Sequence, residues 1–93
     1  MMVGTAVIKL YAPWVHSLKE KRMEVKKLIE RAKNKFNISI AEVEEMDLHQ
    51  SIVIGIACVA NNNKQVNSIL NEAINFIETN TEAELVDISV EIY

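Results

Sequence analysis

Basic side chains are concentrated in one short segment of the chain. Residues 17–35 hold eight lysines and arginines against three glutamates, whereas the other residues hold two lysines and ten carboxylates, and the net charge is −3. Lys27, Arg31 and Lys35 recur every four residues, so in a helix they form an outer row that contains no carboxylate. Cations in such a row can bind phosphates and release counterions. The pattern predicts contact with a nucleic acid or a ribosome; an acidic protein surface and a merely solvated helix face are the alternatives.

A tryptophan stands just before this segment. Trp14 could stack on a base, or it could close the end of the hydrophobic core. The third predicted strand carries no aromatic residue, so bases are not expected to stack on the sheet as they do in RNA-recognition domains. RNA contact would therefore use the helix and its entry loop, and would read the backbone rather than the bases. The predicted nucleic-acid-binding residues are Trp14, Lys19, Arg22, Lys26, Lys27, Arg31 and Lys35.

No group of residues has a spacing that predicts catalysis or a cofactor. An anion would be favoured at the start of the basic helix, but the loop before it has no glycine, which argues against a phosphate-ester site. Neither His16 nor His49 has a cysteine or second histidine at ligand spacing, so no metal site is expected. One acidic cluster could support acid–base chemistry or form a charged edge strand. Its members are Glu42, Glu44, Glu45 and Asp47. We expect a non-enzymatic protein.

The elements that carry these residues follow from caps and hydrophobic spacing. Ser17 and Glu20 have the spacing of a capping box, which predicts a helix that runs to about Lys35. A second helix with apolar residues at helical spacing follows the asparagines at 61–63. Strands are predicted at residues 3–11, 38–44, 51–60 and 84–93. The order β-α-β-β-α-β predicts one α+β ferredoxin-like domain over residues 1–93, a four-stranded antiparallel sheet with two helices on one face.

One face of this sheet is expected to lack a cover. Strand 51–60 is apolar on both sides, which is typical of a central strand, yet both helices lie on one side. Because apolar surface rarely stays in water, we predict that a second copy packs on the open face with twofold symmetry. The alternative is a monomer whose small residues make this face tolerable. The predicted interface residues are Val7, Val53, Ala57 and Val59, and Val86, Ile88, Val90 and Ile92 of the last strand are predicted to face the core.

The compartment can also be predicted. Cys58 is the single cysteine, so no internal disulfide can form; it is interpreted as a small buried residue in a reducing compartment. No leader pattern is visible, and the longest apolar stretch, residues 52–60, falls far short of the roughly 20 residues that a membrane helix needs. We expect a cytoplasmic protein with no membrane contact.

Four segments in the same order resemble the YlxP-like family of small bacterial proteins without an assigned activity. They are residues 17–22 (SLKEKR), 36–43 (FNISIAEV), 47–50 (DLHQ) and 55–59 (GIACV). The resemblance implies a ferredoxin-like fold, and genes of the family often neighbour transcription-elongation and translation-initiation factors, which implies work on the ribosome or RNA. His49 and Ser51 depart from the family pattern, which more often has tryptophan and arginine there, so an aromatic–cation contact at these positions would be weaker here.

Three hypotheses for the function follow. The first is a non-enzymatic binding protein that associates with RNA or the ribosome through the basic helix and with a second copy of itself through its sheet. The second is a regulatory module of the ACT-like kind that binds a small ligand at a dimer interface; the lack of a glycine-rich effector loop argues against it. The third is a small phosphate-ester enzyme, which the lack of a catalytic constellation disfavours.

Overall fold

The computed structural model describes residues 1–93, and its elements follow the predicted order. They are β1 (Met2–Tyr11), α1 (Leu18–Lys35), β2 (Ser39–Glu44), β3 (Ser51–Ala60), α2 (Asn63–Thr79) and β4 (Glu84–Ile92). The sheet has the order β2-β3-β1-β4, and every neighbouring pair is antiparallel. The predicted ferredoxin-like α+β architecture is therefore confirmed, with β3 and β1 as the central strands.

Side-chain caps fix where both helices begin. Ser17 Oγ accepts a hydrogen bond from the Glu20 amide at 3.1 Å, and Asn62 Oδ1 accepts one from the Gln65 amide at 2.9 Å. Each bond satisfies one of the amides that the first turn of a helix leaves without a backbone partner. The two predicted helix starts are thereby confirmed.

The hydrophobic core lies between the sheet and the two helices. Alternate residues of β1 and β3 point toward the helices. Apolar residues at helical spacing on α1 and α2 pack against them. Cys58 is one of these buried residues, as predicted, and burial raises the pKa of its thiol. The central core residues are Ala6, Ile8, Leu10, Ile52, Ile54, Ile56, Cys58, Val25, Leu28, Ala32, Val66, Leu70, Ala73 and Ile77.

The edge strand β4 differs from its prediction. Ile88 pairs with Ile8 and Val90 with Ala6, so both lie on the helix side, as their alternation predicts. However, Val86 is 55% exposed and Val90 is 44% exposed, so neither is a core residue. Two causes act together: the register shifts beside Val86, between the pairs Lys9–Asp87 and Leu10–Leu85, and α2 packs mainly over β1 and β3 rather than over this edge.

Candidate functional site

The six predicted cations of α1 all lie on its surface. They are Lys19, Arg22, Lys26, Lys27, Arg31 and Lys35, which we call the basic face. Lys27 is the only one with a carboxylate oxygen within 4.0 Å; its ammonium lies 3.6 Å from Glu24 Oε1. The other five have no ion pair within the chain, so α1 presents positive charge that its own fold does not neutralise.

Helical geometry divides the basic face into two rows. At about 3.6 residues per turn, Lys27, Arg31 and Lys35 fall on one side of the outer surface of α1, and Lys19, Arg22 and Lys26 fall on the other. Only the first row faces α2. The Lys35 ammonium lies 5.2 Å from the centroid of the Phe76 ring of α2, within the range of a cation–π contact.

The row that faces α2 meets Trp14 in a cleft of about 440 Å³. One wall comes from Trp14 and α1, and the other from the end of α2 and the loop that follows it. We call this the α1–α2 cleft, and its lining residues are Trp14, Glu24, Lys27, Arg31, Thr79, Asn80, Thr81 and Glu82. The structure thus brings three predicted nucleic-acid-binding residues, Trp14, Lys27 and Arg31, into one site. Lys19, Arg22, Lys26 and Lys35 do not line it.

Lys21 is a buried cation that the sequence reasoning missed. It has no exposed surface, and its ammonium donates to the carbonyl oxygens of Glu45 and Leu48, each at 2.7 Å. The same ammonium lies 2.7 Å from Glu42 Oε2. A signal was present, because Lys21 lies one turn before Val25 on the apolar stripe of α1, where a lysine must find partners inside the protein. Through these contacts the Lys21 side chain connects α1 to the segment between β2 and β3.

The predicted acidic cluster is split between the two sides of the sheet. Glu42 pairs with Ile54, so its side chain lies on the helix side, where it meets Lys21. Glu45 instead accepts hydrogen bonds from Lys9 Nζ at 3.3 Å and from the Ser51 hydroxyl, which lie on the open side. Glu44 and Asp47 are exposed and have no ion pair. The four carboxylates therefore form no shared acid–base site.

Glu45 should make stability depend on pH. The Ser51 hydroxyl and the Lys9 ammonium hold the pKa of the Glu45 carboxyl below its ordinary value of 4.5. Because this pKa is lower in the folded than in the unfolded state, the ionised carboxylate stabilises the fold at pH values above its ordinary pKa. This stabilisation is lost as the pH falls through the folded-state pKa. We expect Glu45→Gln to be less stable than the parent at neutral pH, with the difference shrinking toward acid pH.

Urea unfolding at a series of pH values measures this difference in the free energy of unfolding. Asp47→Asn is the control, since the exposed Asp47 side chain has no ion pair or side-chain hydrogen bond. A gap between parent and Glu45→Gln that stays constant from neutral to acid pH would contradict the assignment.

The open face of the sheet differs in one respect from the predicted interface. Val7 is 40% exposed and Val59 is 59% exposed, and Ala57 is partly exposed. Val53, by contrast, is only 2% exposed, so it adds no surface for a partner. The reason is the neighbouring polar side chains. Lys9 lies opposite Val53 on β1, and Ser51 lies two residues before Val53 on the same side of β3. The Glu45 carboxylate accepts hydrogen bonds from both Lys9 and Ser51.

Comparison with known proteins places the chain in a family. A family model described as "Protein of unknown function (DUF503)" matches residues 3–90. The "Uncharacterized protein YlxP" of Bacillus subtilis (strain 168) is 36% identical over 83 residues, which cover 89% of this chain and 90% of that protein. This chain belongs to the DUF503 family. The predicted resemblance to YlxP-like proteins is confirmed, and neither description assigns an activity.

His16 and His49 are both exposed, and no three or more histidine, cysteine or acidic side chains are grouped so that they could hold a metal ion. Neither helix is long and apolar enough to span a bilayer. The surface features that remain as candidates for binding a ligand or a partner are the basic face, the α1–α2 cleft and the open face of the sheet.

Proposed function

We propose that this DUF503 protein is a non-enzymatic RNA-binding protein of the cytoplasm, which contacts RNA, free or within the ribosome, through the basic face of α1. The observation that carries the proposal is the absence of an intramolecular carboxylate partner for five of the six cations. Had the acidic remainder of the chain neutralised these side chains, α1 would offer no cationic surface to a phosphate backbone.

The arrangement of the cations supports contact with a phosphate backbone. Two rows run along a helix of 18 residues, and its length of roughly 27 Å can follow several successive phosphates. Backbone contacts orient a protein on a nucleic acid without reading its sequence. On this proposal the protein binds many RNA sequences with similar affinity, and binding weakens steeply as salt is added.

Charge reversal on α1 tests the proposal. We expect Lys27→Glu with Arg31→Glu to abolish measurable binding to ribosomal particles and to RNA, because two attractive contacts become repulsive. The measurement is fluorescence anisotropy of labelled RNA over a series of salt concentrations. Lys64→Glu is the control: Lys64 is an exposed lysine of α2, outside the basic face, and its reversal should leave most of the affinity intact. If the double variant binds as the parent does, α1 is not the contact surface.

We also propose that two copies pair through the open face. A shallow, mainly apolar groove runs along this side of β1, β2 and β3, and Glu44 is its one charged lining residue. Its apolar lining includes Val7, Ala41, Val43, Gly55 and Ala57. Toward the β4 edge the same side carries three carboxylates, Glu84, Asp87 and Glu91. In the strand register these residues lie opposite Tyr11, Lys9 and Thr5 of β1. Because like charges repel, a twofold contact is favoured over β3 and β1, where the apolar groove lies, and disfavoured over β4.

Two matched substitutions test this pairing by light scattering. Val7 and Val90 lie on opposite sides of the sheet and are 40% and 44% exposed. We expect the parent to be a dimer at micromolar concentration, Val7→Lys to be a monomer and Val90→Lys to remain a dimer. A monomeric parent, or a Val7→Lys variant that still pairs, would contradict the proposal.

A further inference from the structure

Three side chains on one wall of the α1–α2 cleft already have hydrogen-bond partners within the chain. Thr79 Oγ1 donates to the carbonyl oxygen of Asn75 at 2.9 Å, and Asn80 Nδ2 donates to that of Phe76 at 2.8 Å. Thr81 Oγ1 accepts from the Ala83 amide at 3.1 Å. These bonds fix the end of α2 and the loop after it, so this wall of the cleft is formed before any ligand arrives.

Three other side chains in the cleft have no such partner. The Arg31 guanidinium, the Glu82 carboxylate and the Trp14 indole make no side-chain hydrogen bond or ion pair within the chain. Arg31 lies one turn after Lys27, so both cations can approach the same anion from one side. Lys27 also lies 3.6 Å from Glu24, a second carboxylate of the cleft, so an anion must share or replace that contact, whereas Arg31 is free of ion pairs. Trp14 is half-buried against the core, which holds its ring in place.

The chemistry of these three groups and of Lys27 limits the class of ligand that the cleft can bind. Arginine and lysine together bind a phosphate group, and a fixed indole offers a flat surface for a base. The Glu82 carboxylate is an acceptor only, so it needs an N–H or O–H donor from the ligand. A bare phosphate or an acidic peptide side chain would leave Glu82 opposed by like charge, whereas a nucleotide brings donors on its base and ribose together with its phosphate.

We propose that the α1–α2 cleft holds one unstacked nucleotide of a single-stranded RNA. Its base stacks on Trp14, its phosphate lies against Arg31 and Lys27, and a ribose hydroxyl or base N–H donates to Glu82. A cleft of about 440 Å³ is within the ordinary range for small-molecule sites and has room for one nucleotide. This proposal rests on the proposed RNA binding by the basic face, and adds to it a preference for single strands, because a base within a duplex is not free to enter.

Trp14 is the only tryptophan, so its fluorescence reports on the cleft in the unaltered protein. We titrate the full chain with a short adenylate oligomer and with an RNA duplex of the same length. The single strand is expected to quench Trp14 and to bind more tightly than the duplex, which should bind through the basic face without quenching. Trp14→Phe should keep part of this preference, while Trp14→Ala should weaken single-strand binding about tenfold or more and leave the duplex affinity unchanged.

Glu82→Met removes both the negative charge and the acceptor oxygens of this side chain, so the direction of its effect on single-strand binding shows whether Glu82 bonds to the nucleotide or only repels phosphate. If Glu82 accepts a donor from the nucleotide, its replacement weakens single-strand binding; if it merely repels phosphate, the replacement strengthens it. Glu78→Met, at an exposed carboxylate of α2 outside the cleft, is the control and should do neither.

The outcomes distinguish this inference from the proposed function. If the single strand and the duplex bind with equal affinity and Trp14 fluorescence is not quenched, the proposed nucleotide site is wrong. The basic face then remains the proposed RNA contact. Stronger binding by Glu82→Met likewise overturns the site. If neither RNA binds, the proposed function fails and the nucleotide site fails with it.

Discussion

Replacing Lys21 with methionine should destabilise the protein by about 3 kcal/mol, the low end for a buried ion pair, because it leaves the Glu42 carboxylate, which is 17% exposed, without its counter-ion. Methionine preserves most of the apolar stem of the lysine and removes the ammonium. Glu42 Oε2 is buried and has no hydrogen-bond partner of good geometry, so the Lys21 ammonium 2.7 Å away is its only compensation. The carbonyl oxygens of Glu45 and Leu48 lose a donor as well. Against a typical total of about 5–15 kcal/mol, such a loss is large.

Urea unfolding of three variants measures this effect and its cause. Lys19→Met, at an exposed position two residues earlier, should stay within about 0.5 kcal/mol of the parent. Lys21→Met combined with Glu42→Gln should recover part of the loss, because the uncompensated charge is gone while the two carbonyls stay unsatisfied. A Lys21→Met protein as stable as Lys19→Met would show that the buried ion pair does not hold the loop.

Gly4→Ala should also be destabilising, by about 1–3 kcal/mol, because a single added methyl has no space. Gly4 lies on β1 beneath α2. A Cβ atom there would overlap Val66 Cγ1 and lie 2.9 Å from Leu70 Cδ1, and both of these side chains are fully buried. The close approach of α2 to β1 therefore requires glycine, and relief would need a shift of the helix. Calorimetric melting of the variant should show the loss as a lower Tm.

Gly55→Ala is the matched control for this prediction. A Cβ at Gly55 would lie 2.8 Å from Val43 Cγ1, which is also too close. However, Val43 is 44% exposed on the open side, so its side chain can turn away. Because Gly55 and Val43 line the groove proposed to pair two copies, both glycine substitutions are compared in the Val7→Lys background, where we expect Gly55→Ala to cost much less than Gly4→Ala. Equal effects at the two positions would mean that the space beneath α2 is not what limits residue 4.

Local rules were sufficient to predict the elements of this protein. Ser17 and Asn62 cap their helices through bonds between near neighbours in sequence, and the alternation in β1 fixes which residues face the core. The exposed cations of α1 follow from helical spacing in the same way. Each of these features depends on residues that are close along the chain.

The features that were not predicted depend on distant partners or on backbone irregularities. Lys21 is explained by a loop more than 20 residues further along, and a register shift in β2 removes the simple alternation near Glu44. Glu45 has φ of 55°, a left-handed conformation that a glutamate rarely adopts, so no sequence pattern predicted the backbone conformation at this residue. The cleft joins Trp14 to Glu82 only through the packing of α1 beside α2.

The contacts of Glu45 have a consequence for how the fold opens. Its carbonyl oxygen is bound by Lys21 of α1, while its carboxylate is bound by Lys9 of β1 and Ser51 of β3. The first turns of α1 therefore cannot separate from the sheet without also releasing the β2–β3 connection. These segments should behave as one cooperative unit in native-state hydrogen exchange, with a shared opening free energy.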